Sequence, residues 1–74
     1  MFLMGVIDLV REYLKEMKER GVVEIPYRRV VEEIARIKKC RITTVYNAIR
    51  ELAMLGEIKV KGNTKEKFIV LEGE

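Results

Sequence analysis

The chain has 74 residues, of which 49% are apolar and 36% charged, and a net charge of +3. A chain of this length holds one domain, residues 1–74, and buries only about 60–65% of its unfolded surface, which leaves no room for a large enclosed substrate pocket. With no His, no Ser and one Cys, it lacks a nucleophile–base pair, a zinc ligand set and the makings of an internal disulfide, so no enzymatic activity, cofactor, metal or small-molecule ligand is expected.

The apolar content suffices for a packed core rather than a disordered tail, with a stability of about 4–11 kcal/mol from typical per-residue values. Abundant Lys and Glu without Gln match the compositional habit of hyperthermophile proteins, and point to a hot-environment archaeon or one of its viruses or plasmids. The first ten residues are apolar, but Asp8 interrupts them and they have no basic leader or cleavage site. They are also too short to cross a bilayer. A soluble, cytoplasmic protein with no membrane association is the expectation.

Residues 4–20 read as a first helix with two apolar stripes. One is Leu3, Ile7, Val10, Leu14 and Met17; the other is Phe2, Val6, Leu9 and Tyr13. A helix in a small domain needs only one such stripe for its own core. The second is either wrapped by the C-terminal strand or forms a homodimer seam, and the seam is the favoured reading.

Gly21 ends this helix, and residues 22–25 form a short extended piece. Pro26 disfavours helix at Ile25 and suits the start of a second helix over 27–38. Val30, Val31, Ile34, Ala35 and Ile37 would face inward. Arg28 and Arg29 occupy its first turn, where the helix dipole prefers negative charge and a phosphate would relieve the conflict. Residues 39–42 make a tight turn that contains Cys40, whose expected role is packing as a small hydrophobe.

A third helix spans 43–55. Val45, Ala48, Ile49, Leu52 and Leu55 recur at helical spacing, while Thr43, Asn47 and Arg50 fall on the opposite side. Thr43 can cap its first turn, and Gly56 supplies a left-handed stop. A merely solvated helix face would alternate Glu and Lys; this one carries neutral donors and acceptors with one Arg. After Gly56, residues 57–61 alternate in the manner of a half-buried strand. A loop containing Gly62 and Asn63 leads into a return strand at 67–71, and the last three residues read as a frayed tail.

Thr44, Val45, Tyr46, Ile49, Leu52, Gly56 and Ile58, followed by a basic hairpin, resemble the recognition helix and wing of winged helix-turn-helix DNA-binding proteins. The resemblance covers residues from about 6 to 71 and implies an α+β fold of three helices and a C-terminal hairpin wing. It also implies that double-stranded DNA is the partner, that the chain is a small transcriptional regulator, and that the first helix can mediate a homodimer.

The charge distribution is consistent with this. Between Tyr27 and Lys67 there are eleven Lys or Arg and five Glu, a net of +6, against four basic and seven acidic residues outside that span. Cations so placed would displace counterions from DNA phosphates. The third helix would enter the major groove with Arg41, Thr43, Thr44, Tyr46, Asn47 and Arg50 near the DNA, Arg50 suited to guanine and Asn47 to adenine. Arg28 and Arg29 would hold phosphates, and the wing would contribute Lys59, Lys61, Asn63, Lys65 and Lys67. A dimer would meet half-sites about 34 Å apart in a palindromic operator. The rival expectation is a winged-helix module that docks onto other proteins, which would explain the doubly apolar first helix without DNA.

Overall fold

The computed structural model describes residues 5–63 and 65–71. The expectations for Phe2, Leu3, Met4, Thr64 and the tail at 72–74 lie outside the described residues. Six elements follow in order: α1 (Val6–Glu19), β1 (Glu24–Pro26), α2 (Tyr27–Lys38), α3 (Ile42–Met54), β2 (Lys59–Gly62) and β3 (Lys67–Val70). This α+β order of helix, strand, helix, helix and hairpin is compatible with a winged helix. No described helix is long and apolar enough to cross a membrane.

The three helices stop by one device. After α1, the Gly21 amide donates to the Lys18 carbonyl and the Val22 amide to that of Met17. After α3, the Gly56 amide donates to Ala53 and the Glu57 amide to Leu52. Gly21 and Gly56 both have positive φ, 89° and 81°, so each supplies the left-handed residue of a Schellman cap. The same six-residue closure ends α2, where the Cys40 amide donates to Ala35. The left-handed residue there is Lys39, at φ 56° and ψ 49°. At the other end of α2, Pro26 holds φ −56° just ahead of Tyr27, as its ring geometry favours.

β3 is the centre of an antiparallel sheet of order β1-β3-β2. It pairs Ile25 with Ile69 on one side and Val60 with Ile69 on the other. Ile69 therefore points into the core, whereas Phe68 and Val70 lie on the outer face, half-buried. The core gathers Val10 and Leu14 of α1, Val30, Val31 and Ile34 of α2, Val45, Ala48, Ile49 and Leu52 of α3, and Ile25, Tyr27, Ile69 and Leu71 from the sheet and its margins. Among the described residues no charged side chain is buried.

Three expectations are corrected. Leu55 is 62% exposed, because α3 ends at Met54 and Leu55 already belongs to the turn into Gly56. Ile37 is 55% exposed; in the last turn of α2 it reaches only the rim of a groove beside Leu9 and Tyr13. Thr43 does not cap α3. The helix begins at Ile42, the extended residue before it is Arg41, and no side chain bonds to the open amides.

Ile34 is fully buried at the centre of the helical layer. Ile34→Ala is expected to cost about 2–5 kcal/mol through lost burial and the cavity left behind, a large share of a small domain's stability. Urea unfolding followed by circular dichroism measures it, and a loss below about 1 kcal/mol would mean that the site collapses around the smaller residue.

Candidate nucleic-acid interface

The buried back of α3 decides which of its residues can meet a partner. With Val45, Ala48, Ile49 and Leu52 turned inward, the 3.6-residue period leaves Thr43, Thr44, Asn47 and Arg50 outward, and all four are exposed. Arg41 is exposed at the helix start. Its carbonyl accepts from the Thr44 and Val45 amides, and its guanidinium, a donor only, takes no part in the cap.

A stack of side chains joins this face to the wing. The Tyr27 and Tyr46 rings lie 5.2 Å apart at 33°, a tilted contact favoured by the ring quadrupoles. Lys67 of β3 sits with its Nζ 5.7 Å from the centre of the Tyr27 ring, within cation–π range. Burial raises the Tyr27 hydroxyl above the usual 10.0; the neighbouring Tyr46 adds to this and the Arg50 charge opposes it. Tyr46, Tyr27 and Lys67 thus form one stack, and Tyr46 has a double character: its ring packs on Tyr27 while 44% of its surface stays exposed.

The other expected residues divide. Asn63 is committed to the hairpin, its Oδ1 accepting from the Lys65 and Glu66 amides at 2.9 Å each. Gly62 beside it, at φ 119°, could not carry a Cβ without colliding with the Glu66 carbonyl oxygen. The pair shapes the tip that displays Lys65. Lys61 is bridged to Glu24 at 3.0 Å. Lys59 stands over a groove lined by Arg11, Leu14, Lys15 and Lys18, on the α1 side. Arg28 is paired with Glu32 at 3.4 Å, and Arg29 lies close enough to the Tyr13 hydroxyl to oppose the upward shift that burial imposes on it. Both arginines therefore have partners within the chain. Val6, Leu9 and Tyr13, expected at a dimer seam, are half-buried and pack against the molecule's own core, whereas Phe2 lies outside the described residues.

Lys39 was missed. It is exposed, has no acidic partner among the described residues, and occupies the turn between α2 and α3 as the one non-glycine residue among them with positive φ. The left-handed conformation costs an L-residue about 1–2 kcal/mol, and Gly adopts it freely. The signal in the sequence was faint: a chain that must reverse between 38 and 42 has no Gly with which to do so.

Searches of family models, curated proteins and solved structures return no match for this chain.

Two predictions follow from this geometry. Lys39→Gly should raise stability by roughly 0.5–1 kcal/mol, the relief of the left-handed strain less the greater freedom of Gly in the unfolded chain; a thermal melt reads it. The second concerns Arg11, whose Nε and Nη2 donate to Glu57 at 2.8 and 2.9 Å and so hold that carboxyl below its usual 4.5. A depressed carboxylate stabilises the fold above its unfolded value and loses that effect as pH falls through its folded one. Melting temperature should therefore drop on acidification below about pH 4.5, and Glu57→Gln should flatten that limb of the profile.

Proposed function

We propose that this protein binds double-stranded DNA as a small transcriptional regulator, with α3 in the major groove and the β2–β3 hairpin against the adjacent backbone or minor groove. The observation that carries this reading is the Tyr46–Tyr27–Lys67 stack. It joins Tyr46 of α3 to Lys67 at the root of the wing, so a duplex lying on the exposed face of α3 would come close to the hairpin. Arg50 and Asn47 are the base readers, and Thr43 and Thr44 contact phosphate or a thymine methyl. Arg41, Lys39, Lys65 and Lys67 supply sequence-independent attraction.

Lys39 strengthens the case. A cation kept in the turn of the motif, at a backbone conformation where Gly would be more stable, is accounted for by a phosphate that it contacts. Arg28, Arg29, Lys61 and Lys59 take supporting parts here, because each is paired or sits on the α1 side. In this reading copies of the chain also meet through α1, whose solvent side bears Leu9 and Tyr13 half-exposed. The rival, a module that docks on other proteins, draws on Met54 and Leu55, which are 78% and 62% exposed.

Binding to labelled duplex at several salt concentrations tests the proposal. Arg50→Ala should relax preference at one base position and cost about 1–3 kcal/mol on the selected site alone, whereas Lys65→Ala should weaken binding to every sequence and reduce the salt slope by about one. Lys39→Gly should behave as Lys65→Ala does while melting higher than the parent. If random duplex is not bound even at low salt, the DNA reading fails and the exposed Met54 and Leu55 become the place to look for a protein partner.

A further inference from the structure

The solvent side of α1 carries two charged rows of identical spacing. Arg11, Lys15 and Lys18 recur at i, i+4 and i+7, and so do Glu12, Glu16 and Glu19; at 1.5 Å rise each row is about 10 Å long. Residues so spaced share a flank, so the helix is basic along one side and acidic along the other. Lys15 is on the crest and borders both sides.

Each flank opens onto apolar surface of its own. The basic flank borders a groove of about 740 Å³ between α1 and the sheet. Leu14, Ile58, Val70 and Leu71 supply its apolar lining, and Lys18 of α1 and Lys59 of β2 both line it as well. Lys15, Lys18 and Lys59 have no acidic partner among the described residues, and the one acid in the groove, Glu57, is already held by Arg11. The acidic flank borders a smaller recess in which Leu9, Tyr13 and Ile37 lie beside Glu12, Glu16 and Glu19. Glu16 has only a loose exposed contact to Arg20 at 3.5 Å, and Glu12 and Glu19 have none among the described residues. One surface is thus an apolar floor with a cationic rim. The other is an apolar patch with an anionic rim.

We propose that copies of this chain associate head to tail, the acidic flank of α1 in one copy seating in the cationic groove of the next. The occupant is identified by complementarity: the two rows are opposite in sign and equal in spacing, and each apolar surface would cover the other. Because the two surfaces differ and lie on different flanks of one helix, the contact leaves a free groove on one terminal copy and a free acidic flank on the other. Such a heterologous contact grows beyond two copies unless the rotation closes a ring. The inference stands without DNA. Only where it rests on the proposed DNA reading does it add that copies would line up on direct repeats rather than on the palindrome that a two-fold seam requires.

Light scattering or sedimentation of the full chain without DNA, at low and high salt, tests it. The weight-average mass should rise with concentration past twice the 8.7 kDa of one copy, and added salt should reverse the rise as it screens the exposed charges. Lys18→Glu with Lys59→Glu reverses the groove, and Glu12→Lys with Glu19→Lys reverses the flank. Each pair should raise the concentration of half-association by more than about tenfold, since like charges would then face each other. Mixing the two variants should restore assembly, because each then offers the surface that the other complements. All four positions are exposed, and circular dichroism melts check that the variants fold. Ile37→Asp weakens the same contact through its apolar part. A mass that stays at one copy at low salt, an assembly that stops at two, or charge reversals that leave association unchanged would overturn the proposal. Because no nucleic acid is present, a negative result here leaves the DNA reading untouched.

Discussion

Val45, Ala48, Ile49 and Leu52 commit one side of α3 to the core, and most of the molecule follows from that commitment. A helix that packs against both α1 and α2 has no freedom to rotate about its axis, since a turn of even one residue would expose a branched apolar side chain and bury a polar one. Burying a hydroxyl or amide without a partner costs about 1–3 kcal/mol by mutational estimates. The front formed by Thr43, Thr44, Asn47 and Arg50 is therefore fixed by what lies behind it. Its residues make no packing contribution that would dictate their chemistry, which is why their chemistry carries information about a partner.

The wing depends on the same core at one remove. β3 enters through Ile69, fully buried, and brings Lys67 over Tyr27. β2 hydrogen-bonds to β3, carries no buried residue, and touches β1 through the exposed Lys61–Glu24 bridge. The hairpin would be a weak structure alone, and two local devices give it a definite shape: the Asn63 carbonyl oxygen gathered onto the Lys65 and Glu66 amides, and a glycine at a position closed to any side chain. At its base, the Arg11–Glu57 bridge ties α1 to the turn before β2. The bridge is exposed, so its weight lies in where it pins the chain more than in its energy.

The sequence made the helices legible because their apolar residues recur at a helical period over at least three turns. The bounds of α2 emerge as expected at 27–38, since Pro26 fixes its start and a short turn fixes its end. Periodicity failed at the edges of elements. Leu55 continues the spacing of the α3 stripe but lies past the last helical residue, and Ile37 continues that of α2 past the part of the helix that is covered. A period describes direction, whereas burial also needs something to pack against. Composition told a similar half-truth about the site: it located the positive charge between Tyr27 and Lys67, but it could not show that Arg28 and Lys61 are matched by Glu32 and Glu24. Asn63, expected both in the hairpin loop and among the wing's DNA contacts, spends its side-chain oxygen on the turn, because a side-chain acceptor within three residues of free amides meets them first.

This sorting of charges separates the surface into two kinds of cation. Those with acids at i+4 or across the sheet already have part of their field cancelled, and a phosphate would have to compete for them. Lys39, Arg41 and Lys65 have no acidic partner among the described residues, and they sit at the ends of α2 and α3 and at the hairpin tip. Their placement is costly to the fold in one case, since Lys39 holds a left-handed backbone. Across α1 the pattern differs: Lys15, Lys18 and Lys59 also lack acidic partners, but an apolar floor lies beneath them. A phosphate backbone has no use for that floor, while a protein surface does. Unpaired charge over polar ground and unpaired charge over apolar ground are thus suited to different kinds of partner.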